Sequence, residues 1–278
     1  MKNIKSSGKL EQKLKEFSEE QRKTIFTNTG AIQLTEGCSI GCTDCGISAL
    51  KGVQDYISPH LIKKISREYS QELQSNRMLY YASEPFDYDF EGHGYIDIHN
   101  AYKDNVRQGL SLITAIPKGK ENLIFSIILD EQNRFTFNKT IGAISLTKFN
   151  YKRIERKLKE SKILDNIEGV NDLKQFTRYL NRFDSQFVRD FVNEDERYNL
   201  SDNGNDLAEE SIGCFHGVLI KPSGIYNVQI IKPEKEYPTG EIQTEITPDN
   251  FEVIPLTYYS PTIPNNLFLS LGDNERIN

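Results

Sequence analysis

The 278-residue chain has few cysteines, no long apolar run and no excess of positive charge, and each shortage removes a class of protein. Four cysteines, three of them crowded between Cys38 and Cys45, do not make the evenly paired framework of a small disulfide-stapled secreted domain. The opening stretch MKNIKSSGKLEQKLKEFSEEQRK is charged throughout and lacks the apolar segment of a secretory signal. No later run approaches the ~18 apolar residues of a membrane span. The expectation is a soluble, cytoplasmic protein with no membrane contact. A formal net charge of -6 and a pI near 5.4 oppose bulk attraction to nucleic acid, and no nucleic-acid signature is present. There is no repeat, and no low-complexity stretch beyond the polar first 25 residues, which read as an exposed helix or a loose arm.

What remains is enough to fold. With 37% hydrophobic and 27% charged residues the chain can bury a sizeable core. GAIQLTEG reads as a strand running into a Gly-rich loop. SPHLIKKISREYSQEL then reads as a helix, with Ser58 at the N-cap and Pro59 at the first helical position. RMLYYASEP is a short apolar run broken at Pro85. YIDIHNAYKDNVRQG is helical to Gly109, LSLITAIPKG is a strand ending in a Pro/Gly turn, and TIGAISLTKFN is another strand. YKRIERKLKES follows as a helix with Ile154 and Leu158 four apart. Alternating strands and helices predict an α/β protein with a parallel sheet, open or closed into a barrel. The segment from Cys214 predicts a small β-hairpin turning at PSG, followed by a proline-containing tail.

The loop TEGCSIGCTDCGISA carries Cys38, Cys42 and Cys45 in the spacing C-x3-C-x2-C. It follows the first strand, and parallel α/β folds place their chemistry beyond the C-terminal ends of strands. Three thiolates can converge on one centre, and Gly37, Gly41 and Gly46 let the backbone wrap closely around anionic sulfur. The count leaves one coordination position of a four-iron cluster, or of zinc, unfilled by this loop. A structural zinc site is closed by a fourth ligand, and none of His60, His93, His99 and His216 stands at zinc-finger spacing. Buried cysteines packed as small hydrophobes are the bland alternative, and the polar, Gly-rich loop does not favour it.

The chain resembles the radical S-adenosylmethionine (SAM) enzymes, whose signature is C-x3-C-x2-C after the first strand of a partial parallel (β/α)6 barrel. In YYASEPFDY, Ser83, Glu84 and Pro85 fill the last three places of that family's Gly-Gly-Glu-Pro-like element, with Ala82 in the first. ISLTKFNYKRI is similar to the later strand and loop that contact the ribose and carboxylate of SAM, which points to Ser145, Asn150 and Arg153. The resemblance covers roughly residues 31–153. It implies one 4Fe-4S cluster held by Cys38, Cys42 and Cys45, with SAM on the open iron. It also implies a one-electron reductant such as flavodoxin or ferredoxin, and a 5'-deoxyadenosyl radical that abstracts hydrogen from a substrate. The domains expected on this basis are a polar arm or helix over 1–25, the partial barrel over 26–213, and a C-terminal hairpin and tail over 214–278. One position departs from the pattern. Asp44 stands where the family has an aromatic beside the adenine, which would leave that contact to another residue such as Ile47.

Only Cys214 remains after the triplet, so an auxiliary four-iron cluster is not expected, and neither is a cobalamin domain beside the barrel. Cys214 precedes a strand-like run, where a buried structural cysteine is the ordinary reading. The sharper expectation is that its S–H returns hydrogen to a substrate radical. The chain would then resemble single-cluster peptide epimerases and take a peptide substrate. His93, just beyond the Ser-Glu-Pro element, is a loop histidine or a base near neutral pH. Two other classes keep the cysteines without SAM chemistry: a non-catalytic iron-sulfur or zinc protein, and a degenerate barrel acting as a partner protein.

Overall fold

The computed structural model describes residues 6, 8–40, 49–76, 78–106, 112–133, 141–144, 146–147, 150–166, 170–173, 175–176, 189–193, 196–199, 215–231 and 240–258. It is a mixed α and β structure.

The N-terminal residues form two packed helices, α1 (Lys9–Glu16) and α2 (Glu19–Thr27). Leu10 and Leu14, one turn apart, share a face, and both are buried together with Phe17. Ser18 starts α2 with a reciprocal cap, its hydroxyl accepting from Gln21 N and Gln21 Oε1 accepting from Ser18 N. The Arg22 guanidinium closes the joint by donating to Leu14 O, Phe17 O and Tyr69 Oη. The charged composition of this segment therefore hides three apolar anchors, and the described part of it is neither loose nor fully exposed.

The strands, in chain order, are β1 (Thr29–Ile32), β2 (Thr35–Glu36), β3 (Asp55–Tyr56), β4 (Asp89–Phe90), β5 (His93–Gly94) and β6 (Leu112–Thr114). Then come β7 (Ile141–Ile144), β8 (Leu146–Thr147), β9 (Arg189–Asn193), β10 (Glu196–Asn199), β11 (Phe215–Lys221), β12 (Gly224–Ile231), β13 (Gly240–Glu245) and β14 (Thr257–Tyr258). The remaining α-helices are α3 (Pro59–Glu68), α4 (Tyr95–Val106), α5 (Glu121–Asn133) and α6 (Tyr151–Glu160). In α3 the Ser58 hydroxyl accepts from Leu61 N at 3.2 Å and Pro59 opens the helix, where its missing N–H costs nothing.

β1 is buried along its whole length and has parallel neighbours on both sides, β11 and the backbone at Met78. β6 pairs with β7 and β8 with β9, also in parallel, with α5 and α6 as the intervening helices that parallel connections require. β11 continues antiparallel into β12 through the turn at Pro222 and Ser223, and β12 pairs with β13. Among the described residues the strands do not close into a barrel. The main core gathers Phe26, Ile32, Ile62, Tyr88, Tyr95, Tyr102, Ile116, Ile154 and Ile220 into one cluster, so helices α1 to α6 and the β1 sheet share a single interior. No helix among the described residues is long and apolar enough to cross a membrane.

Candidate functional site

β1 runs through Gln33 and Leu34 into the short β2, and the chain then turns at Gly37. Gly37 has φ 90°, and a Cβ there would lie 2.0 Å from the carbonyl oxygen of Gly52. Only glycine permits this approach. The approach pins the base of the cysteine loop: Cys38 N donates to Leu50 O at 2.8 Å and Gly52 N to Cys38 O at 2.7 Å. Cys38, half-buried, thus leaves the C-terminal side of β1 at a fixed point. Cys42 and Cys45, with Asp44 and Ile47, lie outside the described residues, as do Ser145 and Cys214. Among the described residues no three His, Cys, Asp or Glu side chains converge on one point.

Ser39 fastens the start of this loop to the Ser-Glu-Pro element. Its backbone N–H donates to Asp87 Oδ2 at 2.7 Å and its hydroxyl to Asp87 Oδ1 at 2.6 Å. Asp87 ends a single 3-10 turn, Pro85–Asp87, that Glu84 caps by accepting from Phe86 N at 3.3 Å. Burial raises the Asp87 carboxyl above its ordinary range, and the two Ser39 hydrogen bonds oppose that shift. Ser83 is half-buried and Pro85 buried, with Pro85 occupying the first position of the turn. The backbone before them is held as well, since Ala82 N donates to the side chain of buried Gln33 at 3.0 Å.

Glu84 is 4% exposed. Its Oε1 accepts from the Thr114 hydroxyl at 2.6 Å and its Oε2 from Ala115 N at 2.8 Å. Burial pushes its pKa up to about 7, against the hydrogen bonds from Thr114 and Ala115. A carboxyl poised there can exchange a proton near neutral pH. Tyr80 and Tyr95 border the same interior. The Tyr80 hydroxyl accepts from Ile113 N at 3.2 Å, and desolvation pushes its pKa up to about 12. The Tyr95 hydroxyl is buried and has no hydrogen-bond partner among the described residues.

The third element meets the second across the end of β6. Asn150 stands at the N-cap of α6, yet its side chain makes no cap; Nδ2 donates to Ala115 O at 2.8 Å. Arg153, one turn into α6, donates to the Ile116 carbonyl and pairs with Glu121 Oε1. Glu121 also accepts from Gly119 N at 2.8 Å. Burial disfavours the charge on Glu121, but the backbone and Arg153 hydrogen bonds outweigh it and hold the carboxyl below its ordinary range. His93, on β5 opposite Phe90, is half-buried and takes no part in these bonds.

Of the residues expected from sequence, Cys38, Ser83, Glu84, Pro85, Asn150 and Arg153 are described. Hydrogen bonds running through Ser39, Asp87, Thr114, Ala115 and Ile116 connect Cys38's loop, Glu84, Asn150 and Arg153. None of these linking residues, nor Gln33 or Glu121, stood out in the sequence. A threonine in a strand and an isoleucine before a proline have no chemical signature until their backbone geometry is known. No protein-family model matches the chain, and no curated protein matches it.

Proposed function

We propose that the chain is a radical SAM enzyme built on a partial (β/α)6 barrel, with Cys38, Cys42 and Cys45 as the ligands of one 4Fe-4S cluster. The observation that carries the reading is the linkage above. Three stretches far apart in the chain, each resembling a different part of that family's cofactor site, are tied to one another through their described residues at the C-terminal ends of β1 and β6. That is the edge where parallel α/β folds keep their chemistry.

Of the three expected ligands only Cys38 lies among the described residues, and its surroundings support the reading. Gly37 and the paired backbone bonds at Leu50 and Gly52 deliver the Cys38 thiol from a pinned loop, and Ser39 sets that loop against the Glu84 turn. When bound, cluster and SAM supply one-electron reductive cleavage of SAM to methionine and a 5'-deoxyadenosyl radical, with the electron from a flavodoxin- or ferredoxin-like donor. Glu84 and the carbonyls beside it would accept hydrogen bonds from the SAM ammonium. Arg153, whose guanidinium has five N–H donors, would turn those left over from Glu121 and Ile116 toward the SAM carboxylate. Asn150 holds the Ala115 carbonyl and so keeps the end of β6 against α6. The aromatic wall of Tyr80, Phe86 and Tyr95 keeps water from the same interior.

For the substrate step we keep peptidyl epimerisation with Cys214 as hydrogen donor. It rests on the sequence alone, since the next residue, Phe215, opens β11 beside the start of β1, the opposite end of that strand from the Cys38 loop. Cys214→Ala in D2O tests it, since unchanged product and unchanged deuterium incorporation would exclude the thiol as donor.

Metal content tests the site itself. Anaerobic reconstitution of the wild type should yield about four iron atoms and matching sulfide per chain, and a variant with all three loop cysteines changed to Ala should hold none. Retention of one zinc ion instead would favour the non-catalytic zinc protein.

A further inference from the structure

We infer that Thr114 is the positioning residue that sets Glu84 and Arg153 together, acting through a strained turn over residues 114–116; the inference rests on the functional reading above. Ile116 lies at φ 53° and is fully buried. A β-branched residue in the left-handed region is an outlier, and such strain persists only where the surroundings over-determine it. Here they do. Ile116 N donates to Thr114 Oγ1 at 2.9 Å, and its carbonyl accepts from Arg153. Ala115, between them, donates its N–H to Glu84 and accepts from Asn150.

The Thr114 hydroxyl has a single proton. One of its lone pairs is taken by the Ile116 N–H, so the hydroxyl proton is directed at Glu84 Oε1, 2.6 Å away. Ala115 N–H occupies Oε2 in the same way. Both oxygens of Glu84 therefore face donors, the arrangement that favours the carboxylate over the acid. The backbone bend that aims the Ile116 carbonyl at Arg153 depends on the same hydroxyl. One oxygen atom thus favours the charged form of the expected ammonium acceptor and sets the backbone anchor of the expected carboxylate donor. Asp87, Tyr80 and Tyr95 are the titratable groups that act on or are acted on by Glu84 from the neighbouring segments.

The test compares Thr114→Val, which keeps the shape and removes the hydroxyl, with Thr114→Ser, which keeps the hydroxyl. In the protein without SAM, the infrared carbonyl band of protonated Glu84, assigned against Glu84→Gln, is followed with pH. Loss of a hydrogen bond to a charged group should move half-protonation upward by about one to two pH units in the Val variant. The Ser variant should stay close to the wild type. An unmoved titration in Thr114→Val, or an equal shift in Thr114→Ser, overturns the inference. If the Val variant does not fold, Thr114→Ala is read in the same way.

Calorimetric titration of SAM into the reconstituted protein is the second readout. Binding should weaken at least ~10-fold in the Val variant, the order expected when a charged group loses its partner, and little in the Ser variant. Unchanged SAM affinity in Thr114→Val would also overturn the inference. A wild type that binds no SAM contradicts the functional reading, and the infrared titration then decides the role of Thr114 by itself.

Discussion

Ser39 and Asp87, 48 positions apart, form a two-point contact in which the backbone N–H and hydroxyl of Ser39 donate to the two oxygens of one carboxylate, at 2.7 and 2.6 Å. This contact makes the cysteine loop and the Glu84 turn one unit. Ser39 is exposed, so the pair stabilises the fold by about 1 kcal/mol or less. Its importance lies in where it holds the loop. In Asp87→Ala the global urea midpoint should move little, while iron release to a chelator should become several-fold faster. An unchanged release rate would mean that the contact does not hold the loop.

Gly37→Ala should be far more damaging than its size suggests. The added methyl would sit 2.0 Å from backbone oxygen at φ 90°, and neither strand end can retreat without breaking the Cys38 bonds to Leu50 and Gly52. We expect a loss of about 2 kcal/mol or more, with iron content well below one cluster per chain. Wild-type metal content in this variant would show that the loop base tolerates the substitution.

The raised pKa of Glu84 gives the stability a definite slope with pH. Between the ordinary value of 4.5 and about 7 the folded state holds a proton that the unfolded state has lost. Stability from this group is therefore fully present below pH 4.5, falls as pH rises toward 7, and is level above it. The change across that window is roughly 3 kcal/mol. Burial of Asp87 adds to it with the same sign. Subtracting the pH–stability curve of Glu84→Gln from that of the wild type should isolate this slope, and a flat difference would contradict a buried, raised Glu84.

Two buried tyrosines should respond oppositely to loss of their hydroxyls. Tyr88 Oη donates to Ile57 O at 2.8 Å, so Tyr88→Phe leaves a buried carbonyl without that donor and costs about 1 to 2 kcal/mol. Tyr95 Oη has no partner among the described residues, so Tyr95→Phe should be neutral or stabilising by up to about 1 kcal/mol. Denaturant midpoints of the two variants side by side settle the contrast. Equal losses would mean that the Tyr95 hydroxyl is satisfied.

Local chemistry was the legible part of the sequence. The Ser58-Pro59 start of α3, the four-residue spacing of Ile154 and Leu158 in α6, and the turn at Pro222 and Ser223 all depend on near neighbours, and all appear in the structure. Leu10, Leu14 and Phe17 were outweighed by the lysines and glutamates around them, so their burial was not foreseen. The parallel pairing of β11 with β1 joins residues nearly 190 positions apart, and no short-range pattern encodes it. The same division runs through the site. Cys38 was recognisable by type and spacing and Glu84 through the resemblance of its Ser-Glu-Pro element, whereas Gln33, Thr114 and Ile116 act through geometry set by the packed fold. Asn150 illustrates the difference: its position made helix capping the plain alternative, and its side chain instead spans to Ala115.

The central claim is tested most directly by product formation. The anaerobically reconstituted protein is mixed with SAM and dithionite, and 5'-deoxyadenosine is quantified by mass spectrometry beside the variant with Cys38, Cys42 and Cys45 all changed to Ala. The account predicts 5'-deoxyadenosine from the wild type and none from the variant. A wild type that carries an intact cluster, seen in its absorbance, and still releases no more 5'-deoxyadenosine than the variant would contradict it.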